Sequence, residues 1–105
     1  MEKTLTIIMP AYNEKNTVLQ AIEQAKNADI GSYKKEIIVV DDGSTDGTRE
    51  LISKAEGVRK ALMPKNRGKG AALKEGIKQG TRCTDGHWVT IDDHHIFICD
   101  QKKKQ

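Results

Sequence analysis

The stretch that decides the fold covers residues 36–48 and reads EIIVVDDGSTDGT. Its first half, Ile37–Val40, is apolar and β-branched, which predicts a strand buried on both faces, as in a parallel sheet. Its second half places carboxylates, glycines and hydroxyls where that strand ends, and open α/β sheets bind their ligands at such ends. Asp41 and Asp42 are neighbours there, and buried charges must be paired or hydrogen-bonded. The stretch therefore indicates a binding site.

Strand and helix patterns alternate on both sides of this stretch. Strands are predicted at about 5–9, 35–41, 58–63 and 87–91, and helices at about 13–28, after residue 46, and at about 70–79. Asn13 and Asp46 are the predicted helix caps, and Pro10 and Pro64 are expected to end the first and third strands. The alternation predicts an α/β fold: a doubly wound, mainly parallel sheet with helices on both faces.

The composition limits the class of protein. A chain of 105 residues has room for one domain, and its net charge of +3 comes from scattered rather than clustered basic residues, so no nucleic-acid partner is expected. No apolar run approaches the roughly 20 residues of a membrane span, and no signal-peptide pattern opens the chain. Cys83 and Cys99 suggest a reduced, cytoplasmic protein, with a disulfide as the alternative.

Four polar motifs each follow a predicted strand, so they are expected at one edge of the sheet, where a nucleotide-type ligand fits. They are PAYNE at 10–14, DDGSTDGT at 41–48, NRGKGAA at 66–72 and DDH at 92–94. In this order the motifs resemble the N-terminal half of family 2 glycosyltransferases, which have the Rossmann-like GT-A fold. The chain looks most like the polyprenyl-phosphate (dolichyl-phosphate) mannose and glucose synthases, and the resemblance covers about residues 4–93.

The resemblance implies that Pro10, Tyr12, Glu14 and Asp41 surround the nucleoside. The residue chemistry agrees, because a tyrosine ring offers a face for stacking and the carboxylates accept hydrogen bonds from a base or a ribose. The alternatives are a packing role for Tyr12 and a favourable interaction with the helix dipole for Glu14. Asp42 should point away from Asp41, and we expect it to accept backbone N–H groups of the turn at 43–47.

The motif at 66–70 places two cations and two glycines at a helix N-terminus, which favours phosphate. The resemblance implies that Lys69 or Arg67 lies near the diphosphate of the donor. For Arg67 a solvated glycine turn is an equal alternative.

The motif at 92–94 falls where the family carries its Asp-x-Asp metal motif. The resemblance implies that Asp92 and Asp93 contact the nucleotide-sugar and that a divalent metal, Mn²⁺ or Mg²⁺, binds here. Strand alternation puts Asp92 and His94 on one side as the metal ligands, and an imidazole favours Mn²⁺ over Mg²⁺. The alternative is a solvent-exposed turn.

After Asp93 the resemblance is expected to end. Residues 1–93 are then the nucleotide-sugar-binding half, and 94–105 a divergent tail in which 96–98 adds a short edge strand or covers the core. A truncated domain of this kind would lack the acceptor half and be too short for full activity, so we leave enzymatic activity open. Its uncovered sheet edge would favour homo-oligomers.

The expected function is inverting transfer of a sugar from a UDP- or GDP-sugar with a divalent metal, with polyprenyl phosphate as a candidate acceptor. The expected location is the cytoplasm or the inner face of the membrane. One alternative is a catalytically inactive nucleotide-binding and self-association module. Another is a nucleotidyltransferase, which would need a glycine-rich basic signature where this chain has residues 10–14.

Overall fold

The structure is a computed structural model, and it describes residues 3–29, 31, 34–79, 86–91 and 94–102. Strands and helices alternate before a final pair of strands. The elements are β1 (Lys3–Ala11), α1 (Val18–Asn27), β2 (Lys34–Asp41), α2 (Thr48–Lys54), β3 (Arg59–Leu62), α3 (Lys69–Gln79), β4 (Gly86–Ile91) and β5 (His94–Lys102). The strands form a five-stranded sheet in the order β3-β2-β1-β5-β4. In the described part of the chain, no helix has the length and apolarity that crossing a membrane requires.

The two faces of the sheet are covered by different helices, as the doubly wound prediction requires. One face packs against α1 and α2, and its core contains Ile7, Met9, Val18, Ile22, Ile37, Val39 and Ile52. The other face packs against α3, and its core contains Ile8, Ile38, Val40, Ala61 and Ala72. Neighbouring residues of β1 and β2 thus serve opposite cores, which explains their continuous apolar runs. The α/β prediction is confirmed.

The parallel part of the sheet consists of β1, β2 and β3, in which Ile8 pairs with Ile38 and Val40 with Ala61. β5 lies antiparallel to β1, and β4 lies antiparallel to β5. β4 therefore runs in the same direction as β1 without pairing with it. The expectation of a short edge strand at 96–98 is wrong, because β5 has nine residues and lies between β1 and β4. An apolar run such as 96–98 suits a central strand better than an edge.

Pro10 does not end β1, which continues to Ala11. The carbonyl of Ala11 accepts the N–H of Asp42 at 2.8 Å, so it faces β2. Since successive residues of a strand direct their backbone polar groups to opposite sides, the nitrogen of Pro10 faces away from β2. On that side the pairing with β5 has already ended at Ile8. The proline therefore removes no ladder hydrogen bond, and the predicted strand end was wrong for that reason.

Candidate functional site

Three loops meet at the edge of the sheet where the parallel strands end. The first loop, residues 12–17, joins β1 to α1; the second loop, residues 42–47, joins β2 to α2; the third loop, residues 63–68, joins β3 to α3. Each loop contains part of one of the first three motifs that the sequence singled out, and the rest of each motif lies in the adjoining strand or helix. Parallel strands bring their carboxyl ends to one edge, so the predicted gathering of these motifs is confirmed.

The first and second loops are joined by backbone N–H groups of one loop bonded to side chains of the other. The N–H of Asn13 donates to Ser44 Oγ at 2.9 Å, and the N–H of Thr45 donates to Asn13 Oδ1 at 2.8 Å. The N–H of Glu14 donates to Thr48 Oγ1 at 2.8 Å and that of Lys15 to Asp46 Oδ2 at 3.3 Å. Asn13 is therefore a connector between loops. The prediction that it caps α1 is wrong, because α1 begins at Val18 and Thr17 is its N-cap residue.

Asp41 is fully buried on the face that carries α2. Its Oδ2 accepts a hydrogen bond from Arg49 Nη1 at 3.0 Å, and its two oxygens lie 3.3 and 3.4 Å from the N–H of Ser44. The same Nη1 donates to the carbonyl of Met63 at 2.8 Å. Arg49 thereby ties the buried carboxylate to the end of β3. Sequence reasoning missed Arg49, although a cation in the first turn of the next helix is a natural partner for a buried aspartate.

Asp42 points to the opposite face and connects the second loop to the third. Its carboxylate accepts the N–H groups of Arg67 at 2.9 Å and Gly68 at 3.0 Å, and the side-chain amide of Asn66 at 2.9 Å. The predicted orientation and structural role are confirmed. The predicted partner, the turn at 43–47, is wrong: alternation directs Asp42 toward α3, and the nearest N–H groups there belong to the third loop.

Gly43 lies where the second and third loops approach each other closely. Its φ is +76°, and a Cβ atom on it would lie 2.3 Å from the backbone nitrogen of Asn66 and the carbonyl carbon of Lys65. No side chain fits in that space. The glycine is therefore required both by its backbone conformation and by the neighbouring chain.

Asp46 stands just before the N-cap residue of α2, which is Gly47. Its Oδ1 accepts the N–H of Thr48 at 3.0 Å and also the hydroxyl of that threonine. The hydrogen bond from the Thr48 hydroxyl lowers the pKa of the Asp46 carboxyl below its ordinary value. Asp46 thus fixes the start of α2, although it stands one position before the N-cap residue that it was predicted to be.

The predicted nucleoside contacts differ in how open they are to a ligand. Tyr12 is 45% exposed, Glu14 and Pro10 are partly exposed, and Asp41 is fully buried. Glu14 Oε1 accepts the hydroxyl of Thr17 at 3.0 Å. The four residues come together at the ends of β1 and β2, while their contact with a nucleoside stays a prediction.

The predicted phosphate site at α3 has fewer free backbone N–H groups than expected. The backbone N–H groups of Arg67 and Gly68 already donate to Asp42, so they are not open to a phosphate. The remaining N–H groups of the first turn belong to residues from 69 onward. Lys69 is the first residue of α3, and the position of its side chain lies outside the part that the structure describes.

The predicted metal site falls largely outside the described residues. Asp92 and Asp93 are among those that the structure does not describe, and of His94 only its place as the first residue of β5 is given. His94 pairs with Ile91, the last residue of β4, at the edge where the three loops lie. Among the described residues no group of three His, Cys, Asp or Glu side chains is suited to hold a metal ion. Metal binding stays a prediction.

Polar loops at the carboxyl ends of parallel strands form the edge at which open α/β sheets bind their ligands. Comparison with known families identifies the class of protein, since the family described as Glycosyl transferase family 2 matches residues 6–104. The chain belongs to glycosyltransferase family 2. The match runs past Asp93, so the expectation that the resemblance ends there is wrong.

Two curated relatives within this range of similarity carry the same name. The chain is 33% identical over 107 residues to a poly-β-1,6-N-acetyl-D-glucosamine synthase of Staphylococcus epidermidis, covering 95% of this chain and 26% of that protein. It is 31% identical over 106 residues to the protein of the same name from Staphylococcus aureus strain MSSA476, covering 94% and 25%. The chain thus spans about a quarter of the length of these relatives. Their names do not support the predicted likeness to polyprenyl-phosphate mannose and glucose synthases.

Proposed function

We propose that this chain forms the donor-binding part of a glycosyltransferase and binds a nucleotide-diphospho-sugar at the edge where the three loops meet. The observation that carries the proposal is the pair Asp41 and Asp42, which are 0% and 3% exposed. Each carboxylate holds a different neighbouring element, α2 in one case and the third loop in the other. Two adjacent buried charges are costly for packing alone, and organising a ligand site accounts for them.

The donor is best accommodated with its base near the first loop. The exposed ring of Tyr12 offers a stacking face, and the partly exposed Glu14 offers an acceptor for a base N–H or a ribose hydroxyl. Asp41 is buried and supports this surface through its bonds to Ser44 and Arg49. Pro10 lies beside them on β1 and fixes the backbone before Tyr12. The diphosphate would lie toward the N-terminus of α3, where Lys69 begins the helix.

A divalent metal fits the chemistry of the motif at 92–94, because two carboxylates and an imidazole form a donor set suited to Mn²⁺. Asp92 and His94 are the residues proposed to hold it, with Asp93 close to the donor. When bound, the metal would neutralise the charge that develops on the departing diphosphate. The proposal is supported by the position of His94 at the same edge as the loops.

The reaction proposed for the whole protein is inverting transfer, in which an acceptor oxygen attacks the anomeric carbon and the nucleoside diphosphate leaves. The names of the relatives support N-acetylglucosamine as the transferred sugar. They also favour a sugar hydroxyl as the acceptor over polyprenyl phosphate. The proposed activating group is UDP or GDP. In this chain Tyr12 and Lys69 would bind the donor, and the buried Asp41 would hold the surrounding loops in place.

Isothermal titration calorimetry with UDP and with GDP, each with and without Mn²⁺, tests the proposal. One nucleotide should bind, and more tightly with the metal. The variant Asp41→Asn keeps the volume of the side chain and one acceptor oxygen for Ser44 or Arg49, but it removes the charge. It should weaken nucleotide binding at least tenfold, on the order of the free energy that one charged hydrogen bond contributes.

The matched control is Glu50→Gln, which removes a carboxylate from an exposed position on α2 and should leave binding unchanged. Absence of binding to either nucleotide by folded protein would contradict the proposal. Binding without turnover of the donor, even with an acceptor supplied, would instead favour the inactive binding module.

A further inference from the structure

Asn13 has an unusual backbone conformation next to the proposed base contact. Its φ is 53°, and among the described residues it is the one non-glycine residue with a positive φ. Left-handed backbone is unfavourable for an L-residue because its Cβ crowds the following carbonyl oxygen, and asparagine tolerates it better than most. Such conformations persist where surrounding contacts enforce them, and they cluster at functional sites.

The contacts that enforce this conformation are reciprocal. Asn13 donates its backbone N–H to Ser44 Oγ at 2.9 Å, and its side-chain Oδ1 accepts the N–H of Thr45 at 2.8 Å. Both partners lie just beyond Asp41 in the second loop. One residue of the first loop is thus clamped to the second by its backbone and by its side chain.

The clamp fixes the backbone on one side of Tyr12, and β1 fixes it on the other. Ala11 pairs with Asp41 in the sheet, and its carbonyl accepts the N–H of Asp42 at 2.8 Å. Tyr12 lies between these two anchored residues, yet its side chain is 45% exposed. An exposed aromatic ring on a fixed backbone loses little entropy when a flat ligand stacks on it.

We propose that Asn13 is a positioning residue that presents the ring of Tyr12 to the base of the nucleotide through its hydrogen bonds to Ser44 and Thr45. This inference rests on the proposed function and adds to it the residue that sets the affinity for the base. Asn13 acts through Tyr12 and does not itself contact the ligand.

Substitutions at Asn13 separate the side-chain contact from the backbone conformation. Asn13→Gly keeps the left-handed backbone accessible and removes the acceptor, whereas Asn13→Asp keeps an acceptor oxygen for the Thr45 N–H. Because Oδ1 only accepts in this contact, Asn13→Asp should restore what Asn13→Gly loses. Asn16→Gly is the matched control, because Asn16 is an exposed residue of the same loop.

Nucleotide affinity measured in a double-mutant cycle with Tyr12→Ala tests the coupling. Asn13→Gly should weaken binding about tenfold, the lower end of what a stacked base contributes. In the Tyr12→Ala background the same substitution should change affinity less than twofold, because the ring that it positions is gone. Equal weakening in both backgrounds, or no restoration by Asn13→Asp, would overturn the proposal.

An NMR measurement without nucleotide keeps this test independent of the proposed function. The backbone order parameter of Tyr12 should fall in Asn13→Gly and stay at the wild-type value in Asn13→Asp and Asn16→Gly. An unchanged value in Asn13→Gly would overturn the positioning role. If the order parameter falls as expected while the wild-type protein binds neither UDP nor GDP, the failure lies with the proposed function.

Discussion

At the carboxyl edge of the parallel strands, carboxylates accept hydrogen bonds from backbone N–H groups, whereas at the amino edge lysine side chains donate to helix carbonyls. Asp42 accepts two N–H groups just before α3, and Asp46 accepts the first N–H of α2. Lys35 Nζ donates to the carbonyls of Ala25, Lys26 and Ala28 at the end of α1, at 2.6, 3.0 and 2.6 Å. Each edge therefore carries the charge that complements the helix ends gathered there.

The two edges differ in what they leave exposed. A groove at the amino edge is lined by Lys34, Gly57 and the ion pair of Arg59 with Glu36, whose atoms are 3.7 Å apart. Of its charged side chains, Arg59 and Glu36 pair with each other, and Lys35 closes the end of α1. At the carboxyl edge the structural bonds leave Tyr12 and Glu14 open to solvent. A concave surface alone therefore does not identify the ligand site, and polar groups held in place beside an exposed aromatic ring are the better indication.

The largest loss of folding stability should come from adding a side chain at the point where the second and third loops touch. Gly43→Ala should destabilise the protein by about 3 kcal/mol or more, because the added methyl collides with backbone and the positive φ is strained. Gly31→Ala is the matched control: its φ is +70°, and nothing lies within 4 Å of the added atom. It should cost only about 1 kcal/mol, the price of the backbone conformation. Urea unfolding measures both, and equal losses would show that the loops can separate freely.

Smaller losses of folding stability should distinguish the polar contacts of the two edges directly. Asp42→Ala leaves the N–H groups of Arg67 and Gly68 without their acceptor and should cost about 2–3 kcal/mol. Lys35→Met removes a cation from a more exposed helix end and should cost only about 1 kcal/mol. Urea unfolding again gives both values. A greater loss for Lys35→Met would reverse the ranking and place the more important polar network at the amino edge.

The smallest effect is a dependence on pH at the start of α2. The hydroxyl of Thr48 lowers the pKa of Asp46 in the folded protein, so the ionised carboxylate adds stability at a pH above its ordinary value. That contribution is lost as the pH falls through the lowered folded pKa. The melting temperature of the wild-type protein should therefore exceed that of Asp46→Asn at neutral pH, and the difference should shrink in acid. A difference that stays constant from neutral pH into acid would rule out this linkage.

Local patterns in the sequence were sufficient to predict the parallel strands, the two apolar faces and the orientation of Asp42. These features follow from side-chain alternation within a few residues. The contacts of Asn13 with Ser44 and Thr45 join residues 31 and 32 positions apart and depend on where the folded sheet brings two loops together. No local pattern encodes such a contact.

The place of β5 was also beyond local reasoning. Its apolar run at 96–98 indicates a strand, but the choice between an edge and a central position depends on which neighbours pair with it. The hydrogen bonds of Lys35 to the end of α1 were equally beyond local prediction, because a lysine next to an apolar run has no distinctive local pattern. Both depend on tertiary packing, which overrides what single residues prefer.

The most direct test of the account is to map nucleotide binding onto the two edges by NMR. Isotope-labelled protein would be titrated with UDP and with GDP in the presence of Mg²⁺, which avoids the paramagnetism of Mn²⁺. If the nucleotide binds at the carboxyl edge, the amide signals of Tyr12, Asn13, Glu14 and Ser44 should shift with one nucleotide while those of Lys34, Gly57 and Arg59 stay in place. Shifts confined to the groove at the amino edge would show that the ligand site is not at the carboxyl edge.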